Sequence, residues 1–502
     1  MRAWRSSKFF FPVLLLPGSL LAQAVAPNQS DNVAPVRGGQ LGTLTYGADI
    51  GLGETDNATQ VNSGKVSQTI ALADVDFNVK EETRRFDFAA RGNFTELDYL
   101  QHAFSNQVIG RFDGVGQFAI IPERLSWVLQ DDWGQAQIDP FTSLTPNNQE
   151  NVNYVTTGPD LALRLGTLGF IDATARYGRA DYQISPFSSN RFIGSVVFGR
   201  QLSAQSTVSL DGSTARVLFD NTAVNGDFTR SSAFVHYDVH AARTDFLANL
   251  GATTYHQDAI TSSTGILILP GVTTVPEGAR SQTGPLVKLD LSRKLSPAAS
   301  LSLDAGRDIT DGTVGFSTLP NGTVGAIGKP GAIGTPYAFG AAPAAVISAN
   351  YTVTYGSLTW QYKRDRTTVS ATGRWEKDTY GGQPLLNLTH DSANIVVERR
   401  MTRALSAQLL GTYFKSDYAN LDFRETDTVI GGALAYRHGP WLVVRLRYDH
   451  ISRSPFGGIT NGTGYDENRV FLTVGYRPFP DDTFANQTST DQVNEYPSGV
   501  PR

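Results

Sequence analysis

The side chains best suited to chemistry are the seven histidines, and one group of them falls in a pattern. His236, Asp238 and His240 occupy alternate positions, so an extended strand puts all three on one face, a row that could hold a divalent metal ion. No further ligand can be located beside them. The simpler expectation is a set of polar side chains bonded to their neighbours, with no metal assigned. The Asp-rich pieces Asp131-Asp132 and Asp308–Gly312 lack the calcium-loop spacing that ends in Glu, and they read as turns. There is no cysteine, which removes thiolate metal sites, a cysteine nucleophile and a disulfide framework. No Gly-x-Ser-x-Gly elbow occurs, and no Gly-rich piece leads into Lys-Ser/Thr and a helix. Neither a catalytic residue nor a cofactor is therefore assigned.

A second pattern is more suggestive. Opposite charges recur at strand spacing on one face: Arg85, Asp87 and Arg91; Lys288 and Asp290; Arg445, Arg447 and Asp449. Inside a pore such rows set up a transverse field and positions where a solute can bind. They can equally cross-link the wall that carries them, and one residue can do both.

The elements that present these rows alternate with period two. In Thr43–Gly53, Leu44, Tyr46, Ala48, Ile50 and Leu52 share one face; in Arg85–Thr95, Phe86, Phe88, Ala90 and Phe94 oppose Arg85, Asp87, Arg91, Asn93 and Thr95. The same split recurs at 171–179, 233–240, 442–449 and 469–477. It is interrupted at 153–166, 285–294 and 346–363. Tight joints at Glu81–Arg84, Pro122-Glu123 and Gly439-Pro440 take turns with long connections at Asp139–Asn151, His256–Ser281 and Ile309–Ala345. That alternation is the signature of a transmembrane barrel with short periplasmic turns and long external loops. The expected fold is all-β, a transmembrane antiparallel β-barrel of about 20 strands (18–22). Trp127, Trp133, Trp375, Trp441 and Tyr476 are candidates for its interfacial girdles. Glycines at 110, 114, 194, 212, 411, 432 and 475 fall inside the strands, where a barrel wall tolerates bends.

Composition agrees. Arg2, Arg5 and Lys8 lead into the apolar run Phe9–Leu21 and the small-x-small site Ala22-Gln23-Ala24, which reads as a cleaved export signal over residues 1–24. Removing it takes three cations from the 42 Lys+Arg and leaves 39 against 47 Asp+Glu, a charge of −8 that lacks the footprint of a nucleic-acid binder. No later apolar run is long enough for a membrane helix. Residues 25–42 read as a periplasmic segment, 43–478 as the barrel and 479–502 as a polar tail.

Three stretches resemble a known family. They are Gly53–Ala58; Asp139–Phe141 through Pro146–Asn151 to Thr157-Gly158-Pro159 and Leu163–Gly166; and Tyr448–His450 with Arg453-Ser454, followed by Tyr465–Val470. In order and spacing they are similar to outer-membrane β-barrel proteins associated with the PEP-CTERM and exopolysaccharide system of Gram-negative bacteria, within the broader β-barrel porin group. The resemblance implies localisation in the cell outer membrane, contact with outer-membrane lipid, polysaccharide and envelope export proteins as partners, and a conduit or envelope component for exopolysaccharide production or export. The sequence leaves open a general diffusion porin for small solutes and, more remotely, an outer-membrane enzyme. Residues 319–345, rich in Gly, Ala and Pro, are expected to cover or enter the external mouth, leaving the resting barrel a poor conductor.

Overall fold

The computed structural model describes residues 43–478 apart from 140, 144, 223–225, 260–266, 270–271, 274–277, 312–349, 382–383 and 458–463. The expected signal, the segment 25–42, the tail 479–502 and the loop 319–345 lie outside the described residues. The strands are β1 (Thr43–Thr55), β2 (Gln68–Glu82), β3 (Phe86–Tyr99), β4 (Gln107–Ile121), β5 (Leu125–Gln137), β6 (Gln149–Leu165), β7 (Gly169–Tyr182), β8 (Ser189–Ser203), β9 (Ser206–Phe219), β10 (Phe228–Ala241) and β11 (Thr244–Gln257). They continue as β12 (Leu267–Leu269), β13 (Val272–Thr273), β14 (Arg280–Ser296), β15 (Ala299–Asp311), β16 (Asn350–Arg364), β17 (Thr367–Tyr380), β18 (Leu388–Arg400), β19 (Leu405–Tyr418), β20 (Phe423–His438), β21 (Leu442–Gly457) and β22 (Tyr465–Tyr476). β12 and β13 form a separate hairpin within one connection; the other 20 make one antiparallel sheet, each strand paired with its neighbours in the chain. β1 pairs with β22 from Ala48↔Tyr476 to Thr55↔Arg469, which closes the sheet into a barrel and leaves no edge.

At the end that carries the chain termini, every connection between barrel strands is two to four residues long, as at 204–205 and 401–404. At the other end the connections reach 38 residues, at 312–349. Of the interrupted stretches, 153–165, 285–294 and 350–363 are strand, and 346–349 lie outside the described residues. Asp131-Asp132 lies within β5 and Asp308–Asp311 within β15, so neither is a turn: in each, the partner strand supplies the hydrogen bonds that a turn would have made locally. Arg85 also differs from expectation. The Thr83 hydroxyl accepts from the N–H groups of Arg85 (3.2 Å) and Phe86 (2.8 Å), which closes the hairpin at 83–85 and puts Arg85 at its exposed tip.

Around the middle of the barrel the outward residues form a continuous apolar belt. Ile50 is 68%, Leu409 65% and Ile430 65% exposed, among many other outward Leu, Val and Phe side chains. Water-soluble monomers rarely expose an apolar surface of that extent, and an outward apolar band is what a membrane-spanning barrel turns to acyl chains. Trp127, Trp441 and Tyr476 lie exposed near the terminal end, and Trp375 lies exposed toward the other. Inward residues at the same level are mostly polar, with Val197, Phe234 and Leu410 as apolar exceptions.

Beyond the belt, away from the termini, the two faces exchange character. The outward positions become Glu96, Arg216, Lys377, Thr389, Lys415 and Arg424, while the inward ones become Leu72, Leu97, Val152, Tyr154, Val217, Phe228, Tyr255, Tyr351, Tyr380 and Tyr418, all buried. This end is built like the core of a soluble barrel.

If the belt faces lipid, Leu409→Arg at mid-belt should cost about 2–4 kcal/mol of folding stability in a bilayer. Replacing the outward collar residue Thr426 with Arg should cost less than about 1 kcal/mol. Urea titration in phospholipid vesicles reads both; equal effects would mean that the belt is not in the hydrocarbon.

Candidate functional site

The site is the lumen. Asp87, Arg91, His236, Asp238, His240, Lys288, Asp290, Arg445, Arg447 and Asp449 all project inward from β3, β10, β14 and β21. Most are neutralised within the wall. Arg91 donates to Asp113 at 3.0 Å, Lys288 pairs with Asp290 at 3.2 Å, and Arg447 donates to Asp449 at 2.7 Å. His236 meets Asn249 through Nδ1 at 2.7 Å, and His240 lies 3.0 Å from Asp238 through Nε2 and 3.0 Å from Asp245 through Nδ1. Both nitrogens of His240 are therefore engaged, which favours the bonded row over a metal site. Lys288–Asp290 and Arg447–Asp449 pair along one strand, whereas Arg91–Asp113, His236–Asn249 and His240–Asp245 cross-link neighbouring strands, and sequence alone could not find those partners because they depend on register.

The densest network guards the seam where the ends of the chain meet. Arg477, one residue past β22, donates to Asp76 at 2.7 Å and to Asp49, with Asp74 at 3.8 Å; Arg445 lies 3.5 Å from Asp49. Carboxylate oxygens of Asp49, Asp74 and Asp76 all fall within 4.8 Å of one another, a spacing that suits a cation. The Arg477 guanidinium takes the cation's place. Asp49 lies flat over Gly475 of the paired strand, where any Cβ would collide with the carboxylate, so the glycine is required by the network. At the other end of the seam Thr55 donates to Glu467 at 2.7 Å, and Asn468 donates to Asp56 through its N–H at 2.8 Å and its amide at 2.7 Å. Polar clasps thus hold β1 to β22 above and below their shared ladder.

The lumen is obstructed by the described residues of the β5–β6 connection, 138–148 apart from 140 and 144. Its Phe141, 1% exposed, crosses the barrel to the far wall and sits edge-on between Tyr418 (5.0 Å) and Phe423 (5.5 Å). Those residues end β19 and begin β20, which are separated from β5 by β4, β3, β2, β1, β22 and β21. Tyr351, Val353, Tyr355, Tyr380, Leu386 and Leu388 complete the cluster. Arg453 on β21 donates to the carbonyls of Thr142 (2.9 Å) and Phe141 (3.2 Å) while its other face holds Glu425. Within the connection Asn148 ties the backbone together: its amide donates to Asp139 O (2.8 Å), Thr142 Oγ1 (2.8 Å) and Ser143 O (3.0 Å), and its oxygen accepts from Asp139 N–H (2.8 Å). Burial pushes the Asp139 carboxyl up, opposed by the Phe141 N–H and by Arg453. The result is a rigid plug fixed at one aromatic anchor and one arginine.

The far end of β15 narrows the opening further. Its pairing with β14 stops at Val287↔Arg307, whereas pairing with β16 continues to Asp311↔Asn350. The freed end leans inward. Asp308 accepts from Arg230 and from Thr253 (2.6 Å), Asp311 accepts from Arg191 (2.8 Å), and Ile309 packs against Val217, Phe219, Phe228 and Tyr255. Sequence analysis expected obstruction from 319–345; among the described residues it comes from 138–148 and from the strand end at 308–311. Sequence analysis gave 139–151 as a long connection, with no sign of where it would dock.

No protein-family model and no curated protein matches the sequence. Among solved structures, the chain is similar to the FrpB iron transporter from Neisseria meningitidis, with 8% identity, 86% of this chain and 82% of that one covered and a TM-score of 0.42. It is similar to the copper transporter OprC, with 11% identity, coverage of 87% and 81% and a TM-score of 0.45. The closed form of the ferric-catecholate import receptor Fiu from E. coli K12 aligns at 9% identity, coverage of 86% and 81% and a TM-score of 0.43.

Two outcomes test this arrangement. Arg477→Ala strands three buried carboxylates, so it should cost about 3–5 kcal/mol and lower the temperature at which the barrel loses its compact migration on a gel; an unchanged temperature would mean that the seam closes without it. Phe141→Ala and Arg453→Ala should each raise single-channel conductance in planar bilayers above that of the unaltered protein. Unchanged conductance in both would show that 138–148 does not limit flow.

Proposed function

We propose that this protein is an outer-membrane conduit or envelope component for exopolysaccharide production or export, closed to the exterior at rest. The observation that carries the proposal is the division of the lumen: a hydrophilic lower chamber with exposed Asn78, Lys80, Arg164 and Lys294, capped at the external end by a dry aromatic plug. Most charges of the inward rows are neutralised by a neighbour in the wall, which suits passage of an uncharged or weakly charged hydrophilic chain better than selection of one ion sign. The outer membrane is the compartment where short turns and both termini face the periplasm while long connections face outward. The resemblance of 53–58, of pieces within 139–166 and of pieces within 448–470 to the exopolysaccharide-associated barrels supports the link to exopolysaccharide.

A general diffusion porin is the second reading, favoured by the polar chamber. The plug weighs against it, since a diffusion pore depends on a standing opening.

Deleting the chain's gene should lower secreted exopolysaccharide, with restoration by the unaltered protein. Unchanged secretion together with slower uptake of small hydrophilic solutes would contradict the conduit and support the porin.

A further inference from the structure

Just beyond the apolar belt, the outward residues of six adjacent strands fall in one row across the sheet. The registers Arg307↔Thr354, Thr354↔Lys377, Lys377↔Thr389, Thr389↔Asp417 and Asp417↔Arg424 run without a break from β15 to β20. Arg307 and Lys377 are exposed and make no ion pair among the described residues. Arg424 pairs with Asp417 at 2.9 Å, with its side chain 52% exposed, so that contact is weak and replaceable. At about 4.8 Å per strand, Lys377 stands roughly 10 Å from Arg307 and roughly 14 Å from Arg424. The exposed Trp375 lies one position toward the belt, at the level where indole rings mark a lipid interface. Another part of the same rim carries the reverse charge, with outward Glu54, Glu96 and Asp98 on β1 and β3. The asymmetry is local and cannot be ascribed to general solvation.

We propose that this row binds the phosphorylated headgroup of an outer-leaflet lipid. Several fixed cations spaced along one line at the edge of the hydrocarbon match a headgroup with more than one phosphate, while the belt beneath receives its acyl chains. Lys and Arg side chains at such a border attract anionic headgroups, each contributing about fivefold in binding. The proposal rests on the membrane placement given under Proposed function, and requires no particular transported substrate.

The test uses full-length folded protein in neutral detergent, incubated with diphosphoryl lipid A, with bound lipid counted by native mass spectrometry. The unaltered protein should retain lipid A. The triple variant Arg307→Gln, Lys377→Gln, Arg424→Gln should bind about a hundredfold more weakly, and the control Glu54→Gln, Glu96→Gln, Asp98→Asn should retain at least as much as the unaltered protein. Equal retention by the triple variant overturns the site. So does removal of the lipid by an equal concentration of inorganic phosphate, which would reveal a patch for any anion. Insertion into zwitterionic vesicles is measured alongside. Unaltered protein that inserts but retains no lipid A defeats this proposal alone, whereas failure to insert defeats the membrane placement and the site together.

Discussion

A strand that leaves lipid for water must exchange the polarity of its two faces, and this requirement organises the whole barrel. Within the belt the backbone is satisfied by closure of the sheet, so the outward side chains can be apolar and the inward ones wet. Past the belt the outside is water. A barrel wall polar on both sides there would gain nothing from apolar burial, so the inward positions become aromatic and aliphatic and collect into dry clusters. The plug follows from this. A connection entering a wet lumen would have to be held by polar contacts alone, whereas Phe141 enters a cluster that already excludes water.

Closure concentrates stress on one joint. The β1–β22 ladder begins only at Ala48, well inside β1, because β22 ends at Tyr476. The Arg477 network extends the joint beyond the last ladder pair, and the Asp56–Asn468 and Thr55–Glu467 contacts secure its other end. Buried charge is a poor source of net stability, but removing one member of such a set leaves the rest uncompensated. The network therefore makes correct pairing of the chain's two ends far more favourable than an open or slipped arrangement.

Much of the barrel was legible because period two and the alternation of turn lengths are local properties. The 20 strands, the inward orientation of Asp87, Arg91, His236, Lys288 and Arg447, and the girdle tryptophans follow from them. Arg85 was misplaced because the Thr83 turn shifted the start of β3 by one residue. The plug was not legible: the Phe141–Tyr418 contact joins residues far apart in the chain, and no periodicity encodes which loop crosses to which wall. The stretches 53–58 and 465–470, by contrast, stood out without an evident role. The structure places them face to face as the two halves of the upper seam clasp, and 139–151 together with Arg453 as plug and latch.

The account depends on a lumen sealed from outside and wet within. Because the chain has no cysteine, single introduced cysteines can be read one at a time with a maleimide carried on a long polyethylene glycol chain. In intact cells, Thr426→Cys on the outer collar should react rapidly, while Leu409→Cys in the belt and Asn78→Cys in the lumen should not. After the outer membrane is permeabilised, Asn78→Cys should become reactive from the periplasmic side and Leu409→Cys should stay protected by lipid. Reaction of Asn78→Cys in intact cells at the rate of Thr426→Cys would contradict the sealed lumen.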